Sequence, residues 1–251
     1  MCLLHGSWLP DALMQNIAME NNLSETAFVL RRNASHTLAI RWFTPLAEVR
    51  LCGHATLAAA HALFVHEKVS ASELCFESLS GMLTAHYEDD LLTLDFPRDT
   101  LHTTAFTPNI DCFQYQPKEV WRGTDEYLFV FKDEGEVRNA VCNMEKAAGI
   151  DRSGIIITAQ AAHNGIDFVS RYFSPKFGLP EDPVTGSAHT LLVPYWQSVT
   201  GKDHFHALQI SKRGGELYCR AKGDRIKIGG KAVTYFAGEL CLPCAEDMNL
   251  V

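Results

Sequence analysis

The 251-residue sequence is short of basic residues and of long apolar runs, and each shortage excludes a class of protein. Lys and Arg number 22 against 30 Asp and Glu, which gives a net charge of −8. No basic cluster is long enough to follow a phosphate backbone, so nucleic acid is not an expected partner. The longest apolar run, residues 55–65, is interrupted by His61 and is too short to span a bilayer. The start, MCLLHGSWLPD, lacks the basic and hydrophobic regions of a signal peptide, so we expect a cytoplasmic protein without membrane attachment.

Motifs for metals and nucleotides are also missing. The eight cysteines include one CxxC pair, Cys241 and Cys244, without the second pair that would complete a zinc site. There is no HExxH of a metal hydrolase and no GxGxxG after a strand. We therefore expect no metal and no cofactor, and interpret the cysteines as buried free thiols in a reducing compartment.

The sequence does contain a unit that occurs twice. Residues 41–45 read RWFTP and residues 171–175 read RYFSP, at an offset of 130. The glycines that follow, Gly53 and Gly186, are 133 residues apart. Further on, three pairs share an offset of 134, namely Leu74 with Leu208, Gly81 with Gly215 and Asp90 with Asp224. Matching blocks in the same order indicate a duplication, and each copy of roughly 125 residues is long enough to form a domain.

Each copy has the pattern of a sheet around one buried helix. Residues 54–66 are apolar on nearly every face, which is typical of an enclosed helix. The equivalent helix is predicted at 186–199, where Pro194 is expected to kink or shorten it. Residues 92–96 and 217–222 alternate between apolar and polar, as strands with one buried face do. The sequence therefore predicts an α+β fold with a cleft between two pseudo-symmetric domains, 1–105 and 106–251, joined by a proline-containing linker at 97–117.

Both central helices begin with glycine and small residues, in CGHAT and TGSAH. Free N–H groups and the macrodipole at a helix start attract an anion. One such loop is more often only a tight turn, but two equivalent loops facing one cleft would hold an anionic ligand from both sides. The candidate binding residues are Gly53, Ala55, Gly186 and Ala188.

Four polar residues lie in or near these turns: Glu25, His54, Asp182 and Ser187. Each has a simpler structural explanation. Glu25 and Asp182 suit loop or capping carboxylates, Ser187 suits a first-turn hydroxyl, and His54 suits a satisfied core histidine. No second carboxylate adjoins Glu25 in the sequence, so a glycosidase with paired acids is not indicated.

The motifs NNLSETAF, CGHATLAAA, EDPVTGSAH and RGGEL resemble those of the phenazine-biosynthesis PhzF-like proteins, and the resemblance covers essentially the whole chain. It implies the diaminopimelate epimerase-like fold: two pseudo-symmetric domains, each a mainly antiparallel, barrel-like sheet around a central helix, with the active site between them. It also implies a cofactor-independent isomerase with Glu25 as acid/base and with His54, Asp182 and Ser187 as further catalytic residues. We expect a small carboxylate substrate and a homodimer.

Family members usually begin with a strand and a GNP-containing loop before the CLL found here at residues 2–4. The first domain is therefore expected to lack its first strand.

Two mechanisms can be compared from the sequence. Related racemases use two cysteines, one from each half; Cys52 occupies one of these positions, but its counterpart in the repeat is Thr185. A threonine hydroxyl supplies no thiolate at neutral pH, so a two-thiol racemase is disfavoured. Glu25 remains as a single base, and burial is expected to raise its pKa. The alternative is a non-catalytic binding protein on the same scaffold, which would not need such a carboxylate.

Overall fold

The computed structural model describes residues 1–31, 37–104, 110–177 and 179–242. Within these ranges, the first half of the chain contains two helices, α1 (Asp11–Asn21) and α2 (Gly53–Val65). Its strands are β1 (Cys2–His5), β2 (Thr26–Arg31), β3 (Thr37–Phe43), β4 (Glu48–Val49), β5 (Glu73–Ser78), β6 (Gly81–Glu88) and β7 (Leu91–Pro97).

The described part of the second half contains three α-helices, α3 (Glu134–Asn139), α4 (Met144–Ala148) and α5 (His189–Thr200), and two short 3-10 helices at Ile110–Cys112 and Pro175–Phe177. Its strands are β8 (His102–Thr103), β9 (Glu119–Arg122), β10 (Glu126–Val130), β11 (Gly154–Gln160), β12 (Phe168–Ser174), β13 (Leu179–Asp182), β14 (His204–Gln209), β15 (Gly215–Lys222) and β16 (Arg225–Gly230).

The two halves have the same topology, as the repeat predicts. Strand order is β1-β2-β3-β5-β6-β7 in the first and β10-β11-β12-β14-β15-β16 in the second, with the short strands β4 and β13 paired to β3 and β12. In each half the first and third junctions of this order are parallel and the others antiparallel. Strands β7 and β16 pair antiparallel and join the halves into one sheet. The fold is therefore the predicted α+β class with two pseudo-symmetric units.

Each half curls around its central helix. Helix α2 contacts β2, β6 and β7, while α5 contacts β15 and β16. Leu63 of α2 and Leu191 of α5 are both fully buried in one apolar cluster that draws on both halves. Smaller apolar clusters lie under α1 in the first half and under α3 and α4 in the second. Because α2 has no polar face, enclosure by the sheet is the way it can bury its apolar side chains.

Helix α5 differs from the prediction in where it begins and in how it accommodates a proline. It begins at His189, and the turn 186–188 precedes it. The helix continues past Pro194 to Thr200. Proline cannot donate to the carbonyl four residues earlier, Thr190; the backbone N–H of Asp99 donates to that carbonyl instead, at 3.2 Å. A donor from outside the helix therefore replaces the bond that Pro194 removes.

The ends of the sheet are not equivalent. In the second half β9 and β8 extend the sheet beyond β10, whereas in the first half β1 is the last strand within the described ranges. The segment predicted as a linker includes β8, which pairs with β9. The predicted boundary between residues 105 and 106 lies outside the described residues. After β16, residues 231–242 have no regular structure, and Tyr235 and Phe236 are exposed.

The cysteines are free but not uniformly buried. Cys52, Cys112 and Cys219 are buried, whereas Cys2, Cys75 and Cys142 are partly exposed and Cys241 is exposed. Cys244 lies outside the described residues. The expectation of buried thiols is thus wrong for Cys241, which lies in the irregular segment after β16. No helix in the described ranges combines the length and hydropathy needed to cross a membrane.

Candidate active site

A cavity of about 1000 Å³ lies between the two halves, and we call it the interdomain cavity. The first half contributes residues 22–25, 44–46, 48–54 and 80 to its lining, and the second half contributes residues 125, 126, 153, 172, 174, 182 and 185–187. All four predicted catalytic residues line this cavity. A second, more open cavity of about 600 Å³ is lined by His86, His204 and His206, among others, and by none of the predicted residues.

The openings of the two central helices meet at this cavity. A Cβ added to Gly53 would lie 3.4 Å from the Cα of Gly186 and 3.7 Å from the backbone nitrogen of Ser187. Gly53, Gly186 and Ser187 line the cavity. Ala55 and Ala188 are buried and do not line it, so these two predicted binding residues are not part of the cavity wall. Arg50 also lines the cavity and contributes a positive charge to its wall.

Glu25 and His54 form an ion pair on the first half's side of the cavity. Glu25 follows α1 and directly precedes β2, while His54 is the second residue of α2. The Oε2 atom of Glu25 lies 3.0 Å from Nε2 of His54, although that oxygen makes no hydrogen bond of good direction within the described residues. The hydroxyl of Ser24 lies 3.1 Å from the same nitrogen. The side chain of Glu25 is 14% exposed and that of His54 is 24% exposed, so water reaches the ion pair only in part.

The ion pair reverses the expected pKa shift of Glu25. Burial alone would raise the pKa of this carboxyl, but its contacts with His54, and to a smaller extent with Ser24 and Cys52, outweigh burial and lower it. The expectation of a raised pKa is therefore wrong, because it considered desolvation without the imidazole that α2 places beside the carboxylate. Burial likewise opposes the charged form of His54, yet hydrogen bonding to Cys52 and Glu25, with the negative charge of Glu25, raises the histidine pKa well above its usual value.

Cys52 completes a three-residue cluster on the same side of the cavity. Its sulfur lies 3.7 Å from Nδ1 and 3.8 Å from Nε2 of His54. Burial raises the pKa of this thiol, which favours the neutral form at pH 7. The counterpart in the second half, Thr185, donates a hydrogen bond to the carboxylate of Asp182. The two equivalent positions therefore have different chemistry, as the sequence predicts.

Asp182 is held on the second half's side of the cavity by a buried amide. The Nε2 atom of Gln209 donates to the Asp182 carbonyl at 2.8 Å, and the Thr185 N–H donates to Gln209 Oε1 at 2.7 Å. Asp182 is 4% exposed, and its Oδ1 has no partner among the described residues. Burial raises the pKa of Asp182, and the negative charge of Glu25 adds to the effect against the opposing influence of His54 and Thr185.

Sequence reasoning missed Glu126 and Tyr172, which also line the cavity. Burial, with the charges of Asp125 and Asp99, raises the pKa of Glu126 to about 7. From the strand register, Gly154 occupies the position in the second half that Glu25 occupies in the first. A Cβ at Gly154 would lie 2.6 Å from the Tyr172 hydroxyl, so Tyr172 takes the space that a side chain would need there. Tyr172 matches Trp42 in the RWFTP repeat, but Trp42 does not line the cavity, so the match alone did not mark Tyr172 as a site residue. Glu126 gave no signal, since it is one acid in an ordinary strand.

Comparison with known proteins agrees with this architecture. The sequence model of the phenazine biosynthesis-like protein family matches residues 2–238. The chain is 45% identical to a Pseudomonas aeruginosa protein named as an uncharacterized isomerase, over 94% of this chain and 89% of that one. It is 38% identical to a human phenazine biosynthesis-like domain-containing protein, over 95% of this chain and 91% of that one. The protein therefore belongs to the phenazine biosynthesis-like family.

Solved structures place the fold in the same group. A PhzF-family protein of Enterococcus faecalis is 41% identical, covers 96% of this chain and 92% of its own, and superposes with a TM-score of 0.89. A probable proline racemase of Agrobacterium radiobacter has 12% identity over 96% of this chain and 84% of its own, with a TM-score of 0.61. The second similarity concerns the fold alone, which is the diaminopimelate epimerase-like fold that the motifs imply.

Proposed function

We propose that the protein is a cofactor-independent isomerase that shifts a proton on a small carboxylate-bearing substrate, with Glu25 as the acid/base. The observation that carries this proposal is the Glu25–His54 pair, 3.0 Å apart, on one side of the interdomain cavity, with Asp182 on the other side. The names of relatives support the reaction class, since the Pseudomonas protein is named an isomerase.

The substrate carboxylate would bind where the two helix openings meet. Backbone N–H groups at Gly53, which begins α2, and at Gly186 and Ser187, in the turn before α5, would supply donors, and Arg50 adds a positive charge to the lining of the cavity. Such an arrangement suits a carboxylate better than a neutral group. It would also fix the substrate relative to Glu25, which is the positioning that a proton shift requires.

Proton transfer would begin from ionised Glu25. Because the pKa of Glu25 is lowered, its carboxylate is the dominant form at neutral pH and is available to accept a proton, but a lowered pKa also makes it a weaker base, so the proposal rests on the position of Glu25 in the cavity and not on its pKa. Asp182 has a raised pKa and so retains its proton to higher pH than an ordinary aspartate. Environments that shift two carboxyl groups in opposite directions are how acid and base roles are divided within one site.

The remaining groups would support the charges that move. His54, with its raised pKa, holds a positive charge beside Glu25 and would stabilise negative charge that develops on the substrate. Glu25, once protonated, would return the proton to another carbon of the same substrate, so the reaction needs no net acid or base. Ser187 lines the cavity at the helix opening and would contact the bound carboxylate.

The test is solvent-deuterium incorporation by mass spectrometry, with a panel of cyclic carboxylates and amino acids incubated in D₂O. On any substrate that exchanges, Glu25→Gln should lose at least about 100-fold in rate while retaining ligand binding, because amide cannot act as a base. The matched control is Glu73→Gln. Glu73 also lies 3.0 Å from a histidine, His86, but on the exposed surface outside this cavity.

Two outcomes would contradict the proposal. Exchange by Glu25→Gln at the parental rate would make Glu25 a structural residue. Carboxylate binding measured by calorimetry, with no exchange on any member of the panel, would favour the non-catalytic binding protein.

A further inference from the structure

Cys52, His54 and Glu25 bring three different metal-ligand types together at the wall of the interdomain cavity. One sulfur, one ring nitrogen and one carboxylate oxygen lie within 4.8 Å of one another. Among the described residues this is the only group of three or more such side chains with that spacing. Fixed-spacing motifs could not predict it, because Glu25 is distant in sequence from the other two residues.

The separations suit a tetrahedral zinc ion. Zinc binds thiolate at about 2.3 Å and imidazole nitrogen or carboxylate oxygen at about 2.0–2.2 Å, so tetrahedral ligand atoms lie roughly 3.3–3.6 Å apart. Here Nε2 of His54 lies 3.8 Å from the Cys52 sulfur and 3.0 Å from Oε2 of Glu25. One distance is slightly longer and the other slightly shorter than required. The third pair, the Cys52 sulfur and the carboxylate oxygen of Glu25, lies within 4.8 Å, so small side-chain rotations that bring these two atoms together would admit the ion.

The surroundings leave the fourth coordination position accessible. All three residues line the cavity, so water or a ligand carboxylate can approach the ion from that side. The Oε2 atom of Glu25 is buried and makes no directional hydrogen bond within the described ranges, so a metal would satisfy an atom that is otherwise poorly partnered. A thiolate, a carboxylate and a neutral imidazole together also balance the two positive charges of zinc.

We propose that Cys52, His54 and Glu25 form an inhibitory binding site for zinc or a similar thiophilic divalent cation. Binding forms three metal–ligand bonds and releases the thiol proton of Cys52 and one imidazolium proton of His54 to solvent. No oxidation is involved. Binding itself does not depend on the catalytic role of these residues, whereas inhibition rests on the proposed function, because the ion would occupy the acid/base Glu25.

The direct test uses cobalt(II) as the probe with the full chain, free of other metals. A thiolate-to-cobalt charge-transfer band in the near ultraviolet is expected, and zinc should displace cobalt and abolish it. Cys52→Ser should lose the band and raise the zinc dissociation constant, measured by calorimetry, at least about 100-fold. Loss of an outer partner alone costs about 10–100-fold, and a direct ligand should cost no less.

Cys75→Ser is the matched control. Cys75 is partly exposed and its sulfur lies 3.6 Å from a carboxylate oxygen of Glu73, but it belongs to no three-ligand group among the described residues. It should keep both the band and the affinity. The thermal unfolding midpoint of each variant shows whether that variant is folded. The cobalt spectrum of the unsubstituted protein tests the metal site independently of any variant. A parent without the band, or a Cys52→Ser protein that keeps it, would overturn the site.

An activity arm separates this inference from the proposed function. For each protein, the rate of deuterium exchange in the presence of zinc is compared with the rate of the same protein without metal. Zinc should inhibit the parent and Cys75→Ser, and should inhibit Cys52→Ser only at roughly 100-fold higher concentration. Zinc binding without exchange activity would leave the metal site standing and refute the isomerase. Exchange that zinc leaves unaffected while the cobalt band is present would refute inhibition.

Discussion

Gly53 and Gly186, the equivalent glycines of the two copies, lie against each other in the wall of the interdomain cavity. A Cβ at Gly53 would be 3.4 Å from the Cα of Gly186, which is van der Waals contact. Neither glycine needs a positive φ. Their small size therefore matters for how closely the two helix openings approach, and not for backbone strain.

Gly53→Ala should weaken carboxylate binding without unfolding the protein. The new methyl group would sit 3.7 Å from the backbone nitrogen of Ser187 and crowd the approach to that N–H. Alanine also favours the helix by about 0.5–1 kcal/mol, so the free energy of unfolding should change by less than about 1 kcal/mol. We expect the dissociation constant of a bound carboxylate to rise about tenfold, or about 1.4 kcal/mol.

Calorimetry and urea unfolding provide the two measurements for this variant. Gly135→Ala, in the first turn of α3 and outside the cavity lining, is the control and should leave affinity unchanged. Unchanged affinity in Gly53→Ala would show that the ligand does not use the meeting point of the helices.

Glu25→Gln and Asp182→Asn should change stability in opposite directions at pH 7. The folded pKa of Glu25 is lowered, so its charge stabilises the fold above the unfolded pKa of about 4.3, and that contribution is lost as pH falls through the folded value. The folded pKa of Asp182 is raised, so its ionisation costs stability as pH rises above about 3.9. The glutamine variant should thus be less stable than the parent and the asparagine variant more stable.

Unfolding free energies in urea at pH 7 and pH 4 test this pair. The gain from Asp182→Asn should shrink as pH falls toward 4, and Glu73→Gln should show neither effect. A loss of stability in Asp182→Asn at pH 7 would mean that the Thr185 hydrogen bond to the carboxylate outweighs the cost of burying its charge.

The repeat made the fold predictable, because aligned residues occupy aligned strands. Arg41 and Arg171 both form bidentate pairs, with Glu48 and Glu181 respectively, as the RWFTP and RYFSP echo suggests. The beginning of α5 was not predictable, because residues 186–188 resemble residues 53–55, where α2 does begin, but form a separate turn before His189.

The electrostatics of the site could not be predicted from sequence in the same way. The pKa direction of Glu25 depends on the 3.0 Å approach of His54, which belongs to another element. Glu126 has a pKa near 7 because the fold buries it close to Asp125 and Asp99. Neither the approach of His54 to Glu25 nor the burial of Glu126 leaves a periodic or motif signal in the sequence, whereas the glycine pair and the central helices do.

Glu126 should make stability depend on pH between about 4.3 and 7. Because burial raises its folded pKa to about 7, the folded state binds more protons than the unfolded state in this window. The free energy of unfolding should therefore fall as pH rises, by about 2 kcal/mol after allowance for its partial exposure. Glu126→Gln should remove most of this slope.

Urea unfolding at pH 5, 6, 7 and 8 measures the slope in parent and variant. Glu88→Gln is a suitable control, since Glu88 is an exposed carboxylate at the end of a strand. A slope that persists unchanged in Glu126→Gln would assign the pH dependence to other groups, with His54 the first candidate.

Arg171→Lys should destabilise the protein more than Arg41→Lys, although the two arginines are equivalent in the repeat. Arg171 makes a bidentate pair with Glu181 and also donates to the carbonyls of Val137 and Ala140, at 3.1 and 2.7 Å. The third contact of Arg41 is instead with Asp11, whose side chain is 77% exposed. Lysine cannot reproduce a planar fork, so replacement should cost about 1.5–3 kcal/mol at 171 and about 1 kcal/mol or less at 41.

The measurement for the arginine pair is the free energy of unfolding in urea for both single variants and the double variant. The cost of the double variant should equal the sum of the single costs within about 0.5 kcal/mol, because the arginines lie in different halves and share no hydrogen-bond partner among the described residues. Equal costs for the two single variants would mean that the carbonyls of Val137 and Ala140 find other donors. The hydrogen bonds of Arg171 to those carbonyls would then add no stability beyond that of the arginine–glutamate pair present in both halves.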